Sequence, residues 1–98
     1  MEIKKVTNNG TLNVTISGRV DTTTAPALEQ ELKASYGDCN ALVIDFANVE
    51  YISSAGLRVL LSAQKVMCKK DGMKLINVGS DIMEIFEVTG FSDILTIE

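Results

Sequence analysis

The sequence predicts an α/β fold: one domain, residues 1–98, built on a small mixed β-sheet with helices packed mainly on one side, in the order β-β-α-β-α-β-α-β. Three observations predict it. Residues 12–17 alternate apolar and polar, Leu12, Val14 and Ile16 against Asn13, Thr15 and Ser17, the period of a strand with one buried face. Residues 41–44 form an unbroken apolar run, as in a strand covered on both faces. Around these, apolar residues recur at helical spacing, so strands alternate with helices and should pair in parallel through right-handed crossovers.

The elements follow in order. Ile3 and Val6 mark a first strand, and Asn8-Asn9-Gly10 a hairpin turn into the alternating second strand. Gly18-Arg19-Val20-Asp21 ends that strand. Thr22, Thr23 and Thr24 offer caps for a helix whose first turn admits Pro26. Leu28, Leu32 and Tyr36 line its apolar face, and Gly37 ends it. After the apolar run, Asp45 closes the third strand, and Val49-Glu50-Tyr51-Ile52 carries the chain across the end of the sheet. A helical pattern then runs from Gly56 to about Lys70. Arg58, Ser62, Lys65 and Lys69 form its polar stripe; Leu57, Leu60, Leu61, Ala63, Val66 and Met67 form an apolar arc wider than one core-facing stripe needs. A helix wedged deep in the core accounts for that width, and the alternative is a first turn that shows apolar side chains to a partner. Asp71-Gly72 is a turn, and residues 73–78 a fourth strand. A short helix follows, with Ile82, Ile85 and Phe86 on one face, Asp81 and Glu84 spaced as a capping box, and Gly90 as its stop. Ile94, Leu95 and Ile97 predict a last strand.

Function concentrates where the central strand meets the following helix. Ser53-Ser54-Ala55-Gly56 places two hydroxyls at a helix start, where unpaired backbone N–H groups and the positive dipole end point outward. A hydroxyl there can cap the helix or carry a phosphate that the helix end helps to hold. One hydroxyl suffices for the cap, so the pair is redundant unless the other has a task. Ala55 and Gly56 keep the first turn free of bulky side chains, so that a partner's backbone could approach it closely.

Asp45-Phe46, Val49, Tyr51-Ile52 and Ser53-Ser54-Ala55-Gly56-Leu57 resemble the signature of STAS domains, in particular the bacterial anti-sigma factor antagonists. In that family a strand ends in Asp-Leu or Asp-Phe, and Asp-Ser-Ser-Gly or Asp-Ser-Thr-Gly opens a helix. The resemblance covers nearly the whole chain. It implies that the first serine of the motif receives phosphate from a partner kinase. Aligned on Gly56, that serine is Ser54, with Ser53 as the second choice; Ser53 stands where the family has aspartate, and Ala55 where it has a second hydroxyl. The Gly18–Asp21 stretch resembles the family's glycine-x-x-aspartate loop beside the serine, although Asp21 serves equally well as a plain turn or capping carboxylate. The partner surface implied is Asp21, Thr22, Ser53, Ser54, Ala55, Gly56, Leu57 and Arg58, the last one turn after Ser54 and placed to pair with a phosphate there. The implied partners are an anti-sigma factor that is also a serine kinase, and a serine/threonine phosphatase that resets the domain. Members often continue into one more helix, for which no residues remain here, so the surface it covers is expected to be exposed or covered by another chain.

Composition narrows the classes. The chain has 98 residues, 46% hydrophobic but only 5% aromatic, so the core is aliphatic. A net charge of −4 argues against nucleic acid, whose phosphates need clustered Lys and Arg. No apolar run approaches a membrane span, and residues 1–5 lack a signal-peptide core, which reads as a soluble cytoplasmic domain. Cys39 and Cys68 show neither metal nor redox spacing. With no histidine there is no Ser-His dyad and no His-ligated zinc, and no glycine-rich phosphate loop is present. Even gathered near Ser54 by the fold, Asp21, Asp45 and Glu50 make no catalyst without an activating base. No enzyme, metal or cofactor is expected. The other readings are a STAS subunit of a different signalling or lipid-transport complex, and a sensor holding a nucleotide or other anion at the Ser53–Gly56 helix end.

Overall fold

The computed structural model describes residues 1–98. The first turn is the one the sequence predicts. Asn9 and Gly10 take φ of 52° and 82°, the paired positive values that a two-residue hairpin requires. They join β1 (Glu2–Asn8) to β2 (Thr11–Val20) in antiparallel register, Asn8 facing Thr11. β3 (Ala41–Ile52), β4 (Met73–Ile76) and β5 (Thr96–Ile97) then add in parallel, giving one mixed five-stranded sheet in the order β1-β2-β3-β4-β5. The three parallel connections are helices: α1 (Ala25–Ser35), α2 (Ser54–Met67) and α3 (Ser80–Thr89). Element order and sheet type are therefore those read from the sequence.

Register explains why the core has one side. Leu12, Leu42 and Met73 stand abreast across β2, β3 and β4, as do Val14, Ile44 and Leu75. All six are buried, and they join Leu28 and Leu32 of α1, Leu60, Ala63 and Met67 of α2, and Ile82 and Phe86 of α3 in one apolar cluster. Phe46 meets Phe86 edge to face, with ring centroids 6.0 Å apart. The central strand departs from the reading that covered it on both faces. Leu42, Ile44 and Phe46 are buried, but Ala41, Val43 and Asp45 are only half-buried, because all the helices lie on the other face. The opposite face of the sheet is open.

A second correction concerns where β3 ends. It does not stop at Asp45 but continues to Ile52, because β2 offers a partner as far as Val20. Alternation is lost on the way, because the register slips twice, between Thr15 and Ser17 and between Gly18 and Arg19, each time with an extra β3 residue. The first bulge is tied down by the Asp45 carboxylate, which accepts from the Ala47 N–H at 2.8 Å and the Asn77 amide at 3.2 Å. The two slips together restore the inward face, so Ile52 lands beside Val20, both buried.

Helix ends differ in detail. α1 gives way at Tyr36 to a 3₁₀ turn over Tyr36–Asp38, without a left-handed glycine at Gly37. α2 ends at Met67, short of Lys70, and the Gly72 N–H, at φ 101°, returns to the Met67 carbonyl at 3.0 Å. The Asp81–Glu84 capping box does not form. Gly79 holds the cap position, which puts Asp81 inside the first turn, where its charge still favours the dipole. β4 stops at Ile76 because Asn77 turns to φ 56°. The last strand shrinks to Thr96–Ile97 after a 3₁₀ turn, with Leu95 buried and Ile94 exposed. No helix is long and apolar enough to cross a membrane.

Candidate functional site at the start of α2

β3 delivers the chain to the site. Beyond Ile52, the Ser53 N–H donates to the Val20 carbonyl at 2.8 Å, which fastens the start of α2 to the end of β2. Ser53 is extended, φ −95° and ψ 176°, as a cap residue must be. Its hydroxyl accepts from the Gly56 N–H at 3.5 Å, a long bond, and its carbonyl takes the Leu57 N–H at 3.0 Å. Ser54 is the first helical residue and is exposed. The two hydroxyls thus divide: Ser53 caps, and Ser54 stands free at a helix end whose first N–H groups have no acceptor within the helix.

Gly56 serves the core and not a partner. A Cβ there would lie 2.7 Å from Ile52 Cγ1 and 2.8 Å from Val20 Cγ1, so only glycine lets α2 close onto the sheet. Leu57 is likewise buried, at 5% exposure. These two residues of the predicted partner surface therefore face inward, and the wide apolar arc of α2 is the mark of a helix set into the core. Ala55 is half-buried, and Arg58 is exposed in no ion pair. Ala55 and Arg58 share with Thr22, Pro26 and Glu29 a shallow hollow of about 290 Å³ between the starts of α1 and α2.

Asp21 turns out to be the capping carboxylate of the neighbouring loop. Its Oδ1 accepts from the Thr23 and Thr24 N–H groups at 3.0 and 3.1 Å, and the Thr24 hydroxyl donates to the Arg19 carbonyl at 2.9 Å. The threonines thus do not cap α1 through their own side chains as the sequence led one to expect. The Thr24 N–H bond leads in holding the Asp21 carboxyl below its ordinary 3.8, against partial desolvation, with the Thr23 N–H, the Thr24 hydroxyl and the Arg19 charge adding to it. Asp45 does not join the group near Ser54, being held at the β3 bulge by Ala47 and Asn77.

Two residues of the site were not singled out from the sequence. Arg19 and Tyr51 face each other across β2 and β3. The Arg19 guanidinium lies 4.6 Å from the Tyr51 ring centroid, and its Nε is 3.7 Å from Asp21 Oδ2. The signal was Arg19 inside the Gly18–Asp21 stretch, but its pairing with Tyr51 depends on two bulges that periodicity does not show.

The STAS domain model matches residues 2–98. The chain belongs to the STAS family. Among curated STAS relatives it is similar to the anti-sigma-B factor antagonist of Bacillus subtilis, 32% identical over 91 residues, spanning 92% of this chain and 84% of that protein. It is also similar to the crystal structure of an anti-sigma factor antagonist from Mycobacterium paratuberculosis, at 31% identity and a TM-score of 0.89, covering 98% of this chain and 83% of that one. SpoIIAA in its unphosphorylated form shares the fold alone, with 13% identity and a TM-score of 0.78 over 99% of this chain and 87% of its own.

Proposed function

We propose that this STAS domain is an anti-sigma factor antagonist whose binding is switched by phosphorylation of Ser54. The observation that carries the reading is the division between the two serines. Ser53 is spent on the helix cap, and Ser54 is exposed at the helix start beside the Asp21 loop. In the unphosphorylated form the exposed Thr22, Ser54 and Arg58 and the half-buried Ser53 and Ala55, with Asp21 holding the loop, receive an anti-sigma factor that is also a serine kinase, and the sigma factor is freed. Gly56 and Leu57 contribute by setting the helix. The kinase then adds a phosphate to Ser54, and a serine/threonine phosphatase removes it. The domain acts as a cytoplasmic binding module and not as a catalyst.

The physics of such a switch is asymmetric. A phosphate adds about −1.5 to −2 charges at pH 7. At a helix N-terminus it meets open N–H groups and a favourable dipole, so the fold tolerates it. In a tight contact that also holds the Asp21 carboxylate, the same charge must be desolvated next to another anion, so binding is lost. Phosphopeptide mapping after incubation with the partner kinase and ATP tests the assignment. Label on Ser54 is expected; label confined to Ser53 or to a threonine would overturn it.

A further inference from the structure

We propose that Arg19 and Tyr51 form a preassembled anchor for the protein partner, extending the docking surface from the start of α2 onto the open face of the sheet. The inference rests on the reading of Ser54 as the centre of a partner surface. Three observations carry it. First, the pair lies on the uncovered side. Val20 and Ile52 point into the core, so the preceding residues of each strand, Arg19 and Tyr51, point away from it, and Tyr51 is one of few large apolar side chains left exposed, at 37%. Second, the pair is already ordered. The guanidinium carbon lies over the ring, 4.6 Å from its centroid and within cation–π range, and Nε is 3.7 Å from the Asp21 carboxylate. Side chains fixed before contact lose less rotamer freedom on binding. Third, the pair is continuous with the phosphate site. The Arg19 carbonyl accepts from Thr24, the next carbonyl accepts from Ser53, and Tyr51 stands two residues before Ser53.

The chemistry of the occupant follows. The ion pair to Asp21 uses Nε, leaving the terminal nitrogens of the Arg19 fork turned to solvent on a side chain that is 61% exposed. A guanidinium fork placed over an aromatic ring takes a carboxylate with two parallel bonds, while the ring edge takes an apolar side chain. The partner therefore presents an acidic residue beside an apolar one, on a kinase surface that reaches over the ends of β2 and β3. Arginine and tyrosine are also the residue types that dominate measured interface energies.

The test is calorimetric binding of the kinase that phosphorylates this chain to wild type, Arg19→Ala, Arg19→Lys, Tyr51→Ala, Tyr51→Phe and Ser54→Asp, with melting temperatures in parallel. Arg19→Ala and Tyr51→Ala should each weaken binding about tenfold or more at unchanged melting temperature. Arg19→Lys should weaken it nearly as much, having kept the charge but lost the planar fork, and Tyr51→Phe should bind as wild type. Loss on Ser54→Asp with the two alanine variants within about threefold of wild type would overturn the anchor and leave the Ser54 reading standing. The reverse pattern, loss on the alanine variants with Ser54→Asp unaffected, would support the anchor and overturn the switch. A loss of affinity matched by a fall in melting temperature would reduce the pair to a structural role and overturn the anchor.

Discussion

Single residues decide which hydroxyl does what. That one of the two serines is a cap was legible in the sequence; which one depends on Ser53 being extended and Ser54 helical, a backbone detail. Gly56 was legible as a position that excludes side chains, but the reason was misplaced, since the space it spares belongs to Val20 and Ile52. Adding a methyl group there must push β-branched side chains or lift the helix, and overpacking of this kind costs about 1–3 kcal/mol. Gly56→Ala should therefore lower the free energy of unfolding by that much, read from denaturant titrations followed by circular dichroism. Asp21 supplies a prediction with a sign. Its carboxyl is held low in the folded state, chiefly by the Thr24 N–H, so its contribution is present above the ordinary value of 3.8 and lost as the pH falls through the lower folded value. Melting temperatures of wild type and Asp21→Asn should thus converge on acidification, whereas a constant gap between them would show that Asp21 does not act through its charge.

Elements were legible in kind and order wherever period was intact. The hairpin, the alternation of β2 and the helical spacing of α2 all appear as read. The sequence pattern ends β3 at Asp45 because Asp45-Phe46-Ala47-Asn48 breaks the period, whereas two bulges let the strand continue through that break to Ile52. The same bulges set Tyr51 against Arg19, which is why the pair stayed invisible to pattern reading. At the end of α1 the 3₁₀ turn leaves Tyr36 half-buried, and burial foremost, with Glu29 and Cys39 behind it, pushes its phenol from 10.0 up to about 12. The folded state favours the protonated phenol, so this contribution is complete below pH 10 and disappears as the pH rises through about 12. Tyr36→Phe should flatten the alkaline fall of the melting temperature across that window; an unchanged alkaline profile would contradict the burial of this ring.

For the whole molecule, the register of three parallel strands gathers the apolar residues on one face and leaves the other open, which the apolar run at residues 41–44 did not reveal because an uncovered strand can also be apolar. One-sided packing puts the stability in the helix–sheet core and leaves the ends of β2 and β3, with the start of α2, free for a partner. Fold and binding should therefore separate at Ser54. Ser54→Asp puts a negative charge at a helix N-terminus, where such charges stabilise by roughly 0.3–1 kcal/mol, and it leaves the Ser53 cap in place. In a partner interface the same carboxylate must lose its water, which costs on the order of several kcal/mol. The most direct measurement is the affinity of Ser54→Asp for the partner kinase beside its melting temperature. A melting temperature no lower than wild type with binding weaker by orders of magnitude is the predicted result; binding as tight as wild type would contradict the switch and leave Ser54 an exposed residue at the head of a helix.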